Sequence, residues 1–164
     1  MQGEVHTTTA AETQTLGQQL GCLLFPGAVI GLEGDLGAGK TCLVKGIGLG
    51  LGLDADEILS PTFTLIAEHY RQGGALYHID LYRLEGVDME ELGEELGLDE
   101  YVFGQGVTAI EWFQFLPAEM IQRLEAYLLI SLRFGHADER IITLTAYGQP
   151  YESIVQAVCP QKLC

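Results

Sequence analysis

Apolar residues recur along the chain at two spacings, and the alternation between the two lays out a fold. In "TQTLGQQLGCLL", residues 13–24, Leu16, Leu20, Leu23 and Leu24 fall at helical spacing, with Thr13 placed to cap the start. The short apolar run "AVIGLE" (28–33) reads as a strand, and "CLVKGIGLGL" continues a helix over 40–51. "DADEILSPTFTLIAEHY" begins as a loop, and Pro61 interrupts it before a β-prone run from Phe63 onward. "RQGG" is a hairpin turn leading into a strand in "ALYHIDLY". Helical spacing returns between 84 and 106 in "VDMEELGEELGLDEYV", stops at the glycine-rich "FGQG", and gives way to a strand in "VTAIEW". Pro117 opens a short helix, "PAEMIQRL"; "AYLLISLRF" and "RIITLTAY" flank "GHADE" as an antiparallel pair; a small helix lies near "YESIVQAV". Strands and helices interleave with local hairpins, so the predicted fold is a single-domain α/β sandwich around a central mixed, mainly parallel sheet.

At 164 residues the chain predicts one domain over 1–164, with no internal repeat or linker. Its 23 acidic against 8 basic residues give a net charge of -15, which repels a phosphate backbone and argues against autonomous nucleic-acid binding. The opening "MQGEVHTTTAAETQ" lacks the basic-then-apolar order of a secretory signal, and no apolar run approaches the roughly 18 residues of a membrane span, so a cytoplasmic location away from the membrane is expected. Cys22, Cys42, Cys159 and Cys164 have no Cys-x-x-Cys spacing and read as reduced thiols acting as small hydrophobes.

The predicted strand at 28–33 meets the predicted helix at 40–51 through "GDLGAGKT". Gly34, Gly39, Lys40 and Thr41 satisfy G-x-x-x-x-G-K-[ST] in the strand-loop-helix setting that a phosphate loop requires. Backbone N–H groups can converge on phosphate oxygens only if side chains stay out of the way, and Gly34, Gly37 and Gly39 remove them. The helix adds its unpaired N-terminal N–H groups. Lys40 can reach terminal phosphates and the Thr41 hydroxyl can ligate Mg²⁺, which predicts nucleoside triphosphate binding without naming the base.

Hydrolysis would need carboxylates beside that loop. Glu111 closes "VTAIEW", and Asp80 sits near the end of "ALYHIDLY", where alternation puts it on the same side as His78 and Tyr82. Structural alternatives are an Asp80–Arg83 ion pair and a Glu111 that caps the next segment. Spacing leaves open which acid touches Mg²⁺ and which orients water. His78 reads as a hydrogen-bonded structural histidine. Thr62, on the proline-stiffened "SPTFT", is either a sensor of the terminal phosphate or the entry to a strand.

Together, "GDLGAGKT", "SPTFTL", "YHIDLYRL", "GLDEYVFGQGVTAIEW" and the earlier "ETQTLGQQL" resemble the bacterial TsaE (YjeE) family over about residues 12–147, leaving a C-terminal helix and tail at 148–164. The resemblance implies a P-loop ATPase domain. Gly37, Ala38, Gly39, Lys40, Thr41 and the adjoining Cys42 would hold ATP, and Thr41 and Glu111 would hold Mg²⁺. Asp80, Lys40 and Thr62 would form the hydrolytic set, Trp112 would stand beside it, and Thr13 would lie near the adenine. Relatives also use an arginine of the C-terminal hairpin; "GHADER" departs from the usual Gly-Arg arrangement, and Arg140 is the nearest equivalent. The implied role is slow ATP hydrolysis that supports threonylcarbamoyl transfer to adenosine of ANN-decoding tRNAs. TsaD and TsaB would be partners, with tRNA met only through their complex.

Residues 85–100, "EGVDMEELGEELGLDE", carry eight acids and no base. Met89, Leu92 and Leu96 can face the core while Glu90, Glu91, Glu94 and Glu95 point outward, as either a solvated face or a docking face for a basic partner. Two other functions fit the phosphate loop. A small-molecule kinase would normally carry an arginine-rich lid, which the five arginines at 71, 83, 123, 133 and 140 do not form. A non-hydrolysing nucleotide switch would need the loop alone.

Overall fold

The computed structural model describes residues 1–159, without the side chains of 89–91. Its seven strands are β1 (Gln2–Thr7), β2 (Val29–Glu33), β3 (Ile66–Arg71), β4 (Gly74–Asp80), β5 (Val107–Glu111), β6 (Tyr127–Phe134) and β7 (Arg140–Tyr147). They form one sheet in the order β1-β7-β6-β2-β5-β4-β3. The centre, β6-β2-β5-β4, is parallel, and the outer pairings are antiparallel.

Burial explains the arrangement. β2 and β5 are apolar along almost their whole length because helices cover both of their faces, while β6 and β7 alternate buried with half-buried positions. On one face α1 (Ala10–Leu23), α2 (Lys40–Gly50) and α6 (Gln149–Val158) pack against Ile30, Leu32, Leu128 and Ile130. On the other, Val29, Ile79 and Ile110 meet α4 (Leu98–Val102), α5 (Ala118–Arg123) and Leu92 of α3 (Met89–Glu95). The result is the three-layer α/β sandwich that the pattern predicts, with a mixed sheet whose middle is parallel.

Several boundaries differ from the sequence reading. The first helix starts at Ala10, and its cap is Thr9 rather than Thr13: Thr9 Oγ1 accepts from the Glu12 amide at 3.1 Å, while Glu12 Oε2 accepts from the Thr8 amide at 2.6 Å. Thr13 is one turn in and buried. The β-prone run from Phe63 becomes a strand only at Ile66, because the chain first turns through Leu65 at φ 65°, leaving Phe63 85% exposed. The helical stretch between 84 and 106 divides at Gly97, φ 65°, into α3 and α4. Of the acidic face, Glu94 and Glu95 are exposed, and Leu92 and Leu96 pack inward. The expectations for the Met89, Glu90 and Glu91 side chains, and for the tail at 160–164, lie outside the described residues. β1 is an element the pattern did not announce.

α1 and α2 pack backbone against backbone. A methyl carbon on Gly17 would stand 2.3 Å from the Leu43 carbonyl oxygen, and one on Gly46 would stand 2.1 Å from that of Gln14. The two backbones are in direct contact, which sets α1 against the helix that carries the phosphate-loop motif. Alanine in a helix interior normally gains about 1 kcal/mol over glycine. Here the added methyl meets main chain that cannot give, and overpacking of this kind costs about 1–3 kcal/mol or more. Gly46→Ala is therefore expected to lower stability by about 2 kcal/mol, read as a lower denaturant midpoint in urea unfolding.

Candidate functional site

The site grows out of the loop between β2 and α2. Gly34, at φ 142°, passes so near β6 that a Cβ would lie 2.4 Å from the Leu132 carbonyl oxygen, and Gly39 starts α2 from φ 109°. No side chain caps α2, so its first amides face the loop. Lys40 is 4% exposed. Its Nζ donates to the carbonyls of Gly34 at 2.6 Å and Asp35 at 3.0 Å, and stands 4.1 Å from the centre of the Trp112 ring. Burial pushes the ammonium pKa down, and the nearby charges of Glu111, Asp80 and Asp35 oppose that shift.

Two acids face this lysine. β4 and β5 run parallel in a register that sets Asp80 beside Glu111, both almost fully buried. Glu111 Oε1 accepts from the Thr41 hydroxyl and from His78 Nε2, each at 2.8 Å. Asp80 Oδ2 accepts from Thr62 Oγ1 at 2.7 Å and Ser60 Oγ at 3.0 Å, and Oδ1 accepts from the Tyr82 amide at 3.0 Å. The alternative pairing of Asp80 with Arg83 is not what forms: that guanidinium turns to the Phe63 carbonyl and ring. Nor does Glu111 cap the following turn, since its bonds run to α2 and β4.

Around these groups lies a cavity of about 190 Å³ bounded by Lys40, Thr41, Thr62, Asp80, Glu111 and Trp112. Trp112, at φ 60°, is held in place by stacking on Phe115 and by Tyr82. A second cavity, about 400 Å³, opens across the loop between Thr9, Thr13, Ala38, Asp138 and Arg140. Gly37, Gly39 and Cys42 line both. Every residue that the resemblance assigns to nucleotide, metal or hydrolysis therefore borders one cavity or the other, while Gly34 and His78 line neither. Thr13 bonds Thr7 Oγ1 at 2.8 Å, and Cys42 Sγ donates to the Ala10 carbonyl at 3.2 Å. Arg140 is folded onto its own turn, donating to the carbonyls of Asp138 and Glu139 and covering the Phe134 ring. That turn is tied to β1 by His6, which sits between Glu139 at 2.8 Å and Glu4 at 2.9 Å, contacts that raise the imidazole pKa.

Sequence reasoning missed Ser60 and the Glu111 contact of His78. The signals were present: a second hydroxyl two positions before Thr62, and a histidine on the same strand face as Asp80. Among the described residues no cluster of three or more His, Cys, Asp or Glu could hold a metal. One hydroxyl beside one carboxylate suits instead a cation that keeps most of its waters and shares phosphate oxygens, as Mg²⁺ does.

A glycine turn entering a helix at the carboxyl edge of parallel strands, with acids ending two of those strands, defines a P-loop-like α/β protein. More narrowly, the chain belongs to the TsaE family: residues 7–142 match the family model described as "Threonylcarbamoyl adenosine biosynthesis protein TsaE". It is 42% identical over 150 residues to the tRNA threonylcarbamoyladenosine biosynthesis protein TsaE of Bacillus subtilis, covering 92% of this chain and 89% of that one. To the protein of the same description from Treponema pallidum it is 43% identical over 136 residues, 83% of this chain and 95% of the other. The crystal structure of YdiB from Bacillus subtilis superposes with a TM-score of 0.74 at 36% identity, covering 96% and 94% of the two chains. No described helix is long and apolar enough to cross a membrane.

Asp80 anchors the 60–62 loop as well as facing the cavity. Asp80→Ala would leave the Ser60 and Thr62 hydroxyls without their carboxylate, a loss of about 1.5 kcal/mol or more in local stability. Amide exchange across residues 60–65 is expected to quicken about tenfold, while strands β2 and β5 keep their protection; hydrogen-exchange mass spectrometry reads both.

Proposed function

We propose that the protein is an ATP-binding, slowly ATP-hydrolysing subunit that works with TsaD and TsaB to support threonylcarbamoyl transfer to adenosine of ANN-decoding tRNAs. It meets tRNA only through that complex, and so acts in the cytoplasm. Family membership supports the process. The observation that carries the chemistry is the convergence of Lys40, Thr41, Asp80 and Glu111 on one cavity at the mouth of the phosphate loop.

In this reading the amides of Gly37–Thr41 and the ammonium of Lys40 bind the phosphates. Thr41 gives its hydrogen to Glu111, which leaves its oxygen lone pairs free for Mg²⁺, with Glu111 as the second holder. When bound, that ion neutralises charge on the β- and γ-phosphate oxygens. Asp80 orients the attacking water. Thr62 exchanges its bond to Asp80 for the γ-phosphate, so the loop at 60–62 differs between the triphosphate and hydrolysed states. The adenine lies across the loop, beside Thr13, Cys42 and Arg140, and Trp112 covers the phosphate side.

No described arginine lines the phosphate-side cavity. That disfavours a small-molecule kinase with an arginine lid, and it makes slow turnover by the isolated protein the natural state. The readings separate cleanly. Lys40→Ala should abolish Mg-ATP binding in calorimetry, whereas Asp80→Ala should keep binding and lose hydrolysis about 100-fold. A pure nucleotide switch would show no hydrolysis to lose. Adding TsaD, TsaB and tRNA should raise turnover about tenfold or more; full-speed hydrolysis without partners, or no Mg-nucleotide binding, would overturn the proposal.

The acidic stretch at 85–100 is the proposed docking face for a basic patch on a partner. Its association rate with TsaD–TsaB is then expected to fall about tenfold as salt rises from roughly 50 to 500 mM. Stopped-flow mixing at the two ionic strengths measures it.

A further inference from the structure

His78 is the one fully buried titratable side chain at the site that the mechanism above leaves without a task. It is 0% exposed, and its Nε2 lies 2.8 Å from Glu111 Oε1. Nδ1 is buried too and has no hydrogen-bond partner among the described residues. A carboxylate only accepts, so the ring carries a hydrogen on Nε2. The ring is therefore a donor aimed at one oxygen. Its neighbours across the sheet, Ala67 of β3 and Ala109 of β5, are both small. Ala109 is two positions before Glu111 and shares its face, so the imidazole has room to lean along β5 toward the carboxylate. An apolar residue would fill the same place without stranding a buried nitrogen.

We propose that His78 is a positioning residue for the metal-holding carboxylate. Thr41 and His78 both donate to Oε1, from α2 and from β4, and the two anchors stop the carboxylate from swivelling. Oε2 accepts from no described donor, which leaves it for the cation or its water shell. With one anchor removed, the carboxylate turns about its last torsion and the metal loses a preset ligand. The inference rests on the magnesium-nucleotide reading above and adds to it the group that orients Glu111.

The test compares ATP affinity by calorimetry in magnesium and in EDTA, with unfolding midpoints recorded for each variant. In His78→Leu the gain in affinity that magnesium brings should shrink about tenfold, while affinity in EDTA stays that of the parent. His78→Gln, whose amide N–H reaches the place of Nε2, should recover most of the gain; His78→Asn, one methylene shorter, should not. An unchanged magnesium gain in His78→Leu overturns the role. If that variant does not fold, equal gains in His78→Gln and His78→Asn overturn it instead. A parent protein with no magnesium-dependent binding overturns the site itself and this role with it, which distinguishes the two failures.

Discussion

The register of β4 against β5 sets two carboxylates side by side under cover, and the architecture of the site follows from that. Asp80 and Glu111 are 2% and 3% exposed. Two such charges roughly 5 Å apart repel by about 3 kcal/mol even at an effective dielectric of about 20. The fold holds them by drawing hydrogen-bond donors from separate segments: Thr41 from α2, His78 from β4, Ser60 and Thr62 from the loop before β3, and the Tyr82 amide. Lys40 supplies the positive charge. Each donor fixes the segment that bears it, so the cavity is the place where these segments meet.

That dependence explains what could be read in the sequence. "GDLGAGKT" announces itself because the turn, its left-handed glycines and the helix start are local. Asp80 and Glu111 were also legible, since each ends an apolar run whose final residue must lie at the sheet edge. Ser60 and the His78–Glu111 contact were missed although their residue types were in view, because both are tertiary meetings: Ser60 reaches Asp80 from the loop before β3, and His78 reaches Glu111 only because β4 and β5 are neighbours. Nothing in the chain's linear pattern states that β4 lies next to β5 across 26 intervening residues.

Two other features escaped for different physical reasons. β1 is an edge strand that alternates exposed with half-buried positions until Thr7, so it lacks the apolar signal of a central strand. The cap moved from Thr13 to Thr9 because Thr8, Thr9 and Glu12 satisfy one another's donors and acceptors, extending the helix a turn before its first leucine. Thr13 was thereby carried inward, where it bonds Thr7 and walls the second cavity. The direct backbone contact of α1 and α2 has a sequence trace, glycines four apart at 17 and 21 and at 46 and 50. It becomes meaningful only once the two helices are known to be neighbours.

Electrostatics also constrain how a nucleotide could be accepted. The molecule carries -15, and the phosphate-side cavity offers two carboxylates against the single ammonium of Lys40. A bare triphosphate would enter against its own sign of charge. On the proposed reading it therefore arrives with a divalent cation, and the cation's place is where Thr41 and Glu111 already share a hydrogen. No described arginine lines that cavity: Arg83 reaches Phe63, Arg123 pairs with Asp99, Arg133 stands 4.0 Å from Glu4, and Arg140 folds onto its own turn across the loop. On the same reading, charge that develops on the leaving phosphate meets, among the described residues lining the cavity, only the Lys40 ammonium. A further cation that accelerated the proposed reaction would then come from outside the described cavity lining, and a partner is the source that reading names; Leu36, Leu59 and Phe63 stand exposed on the loops around the site.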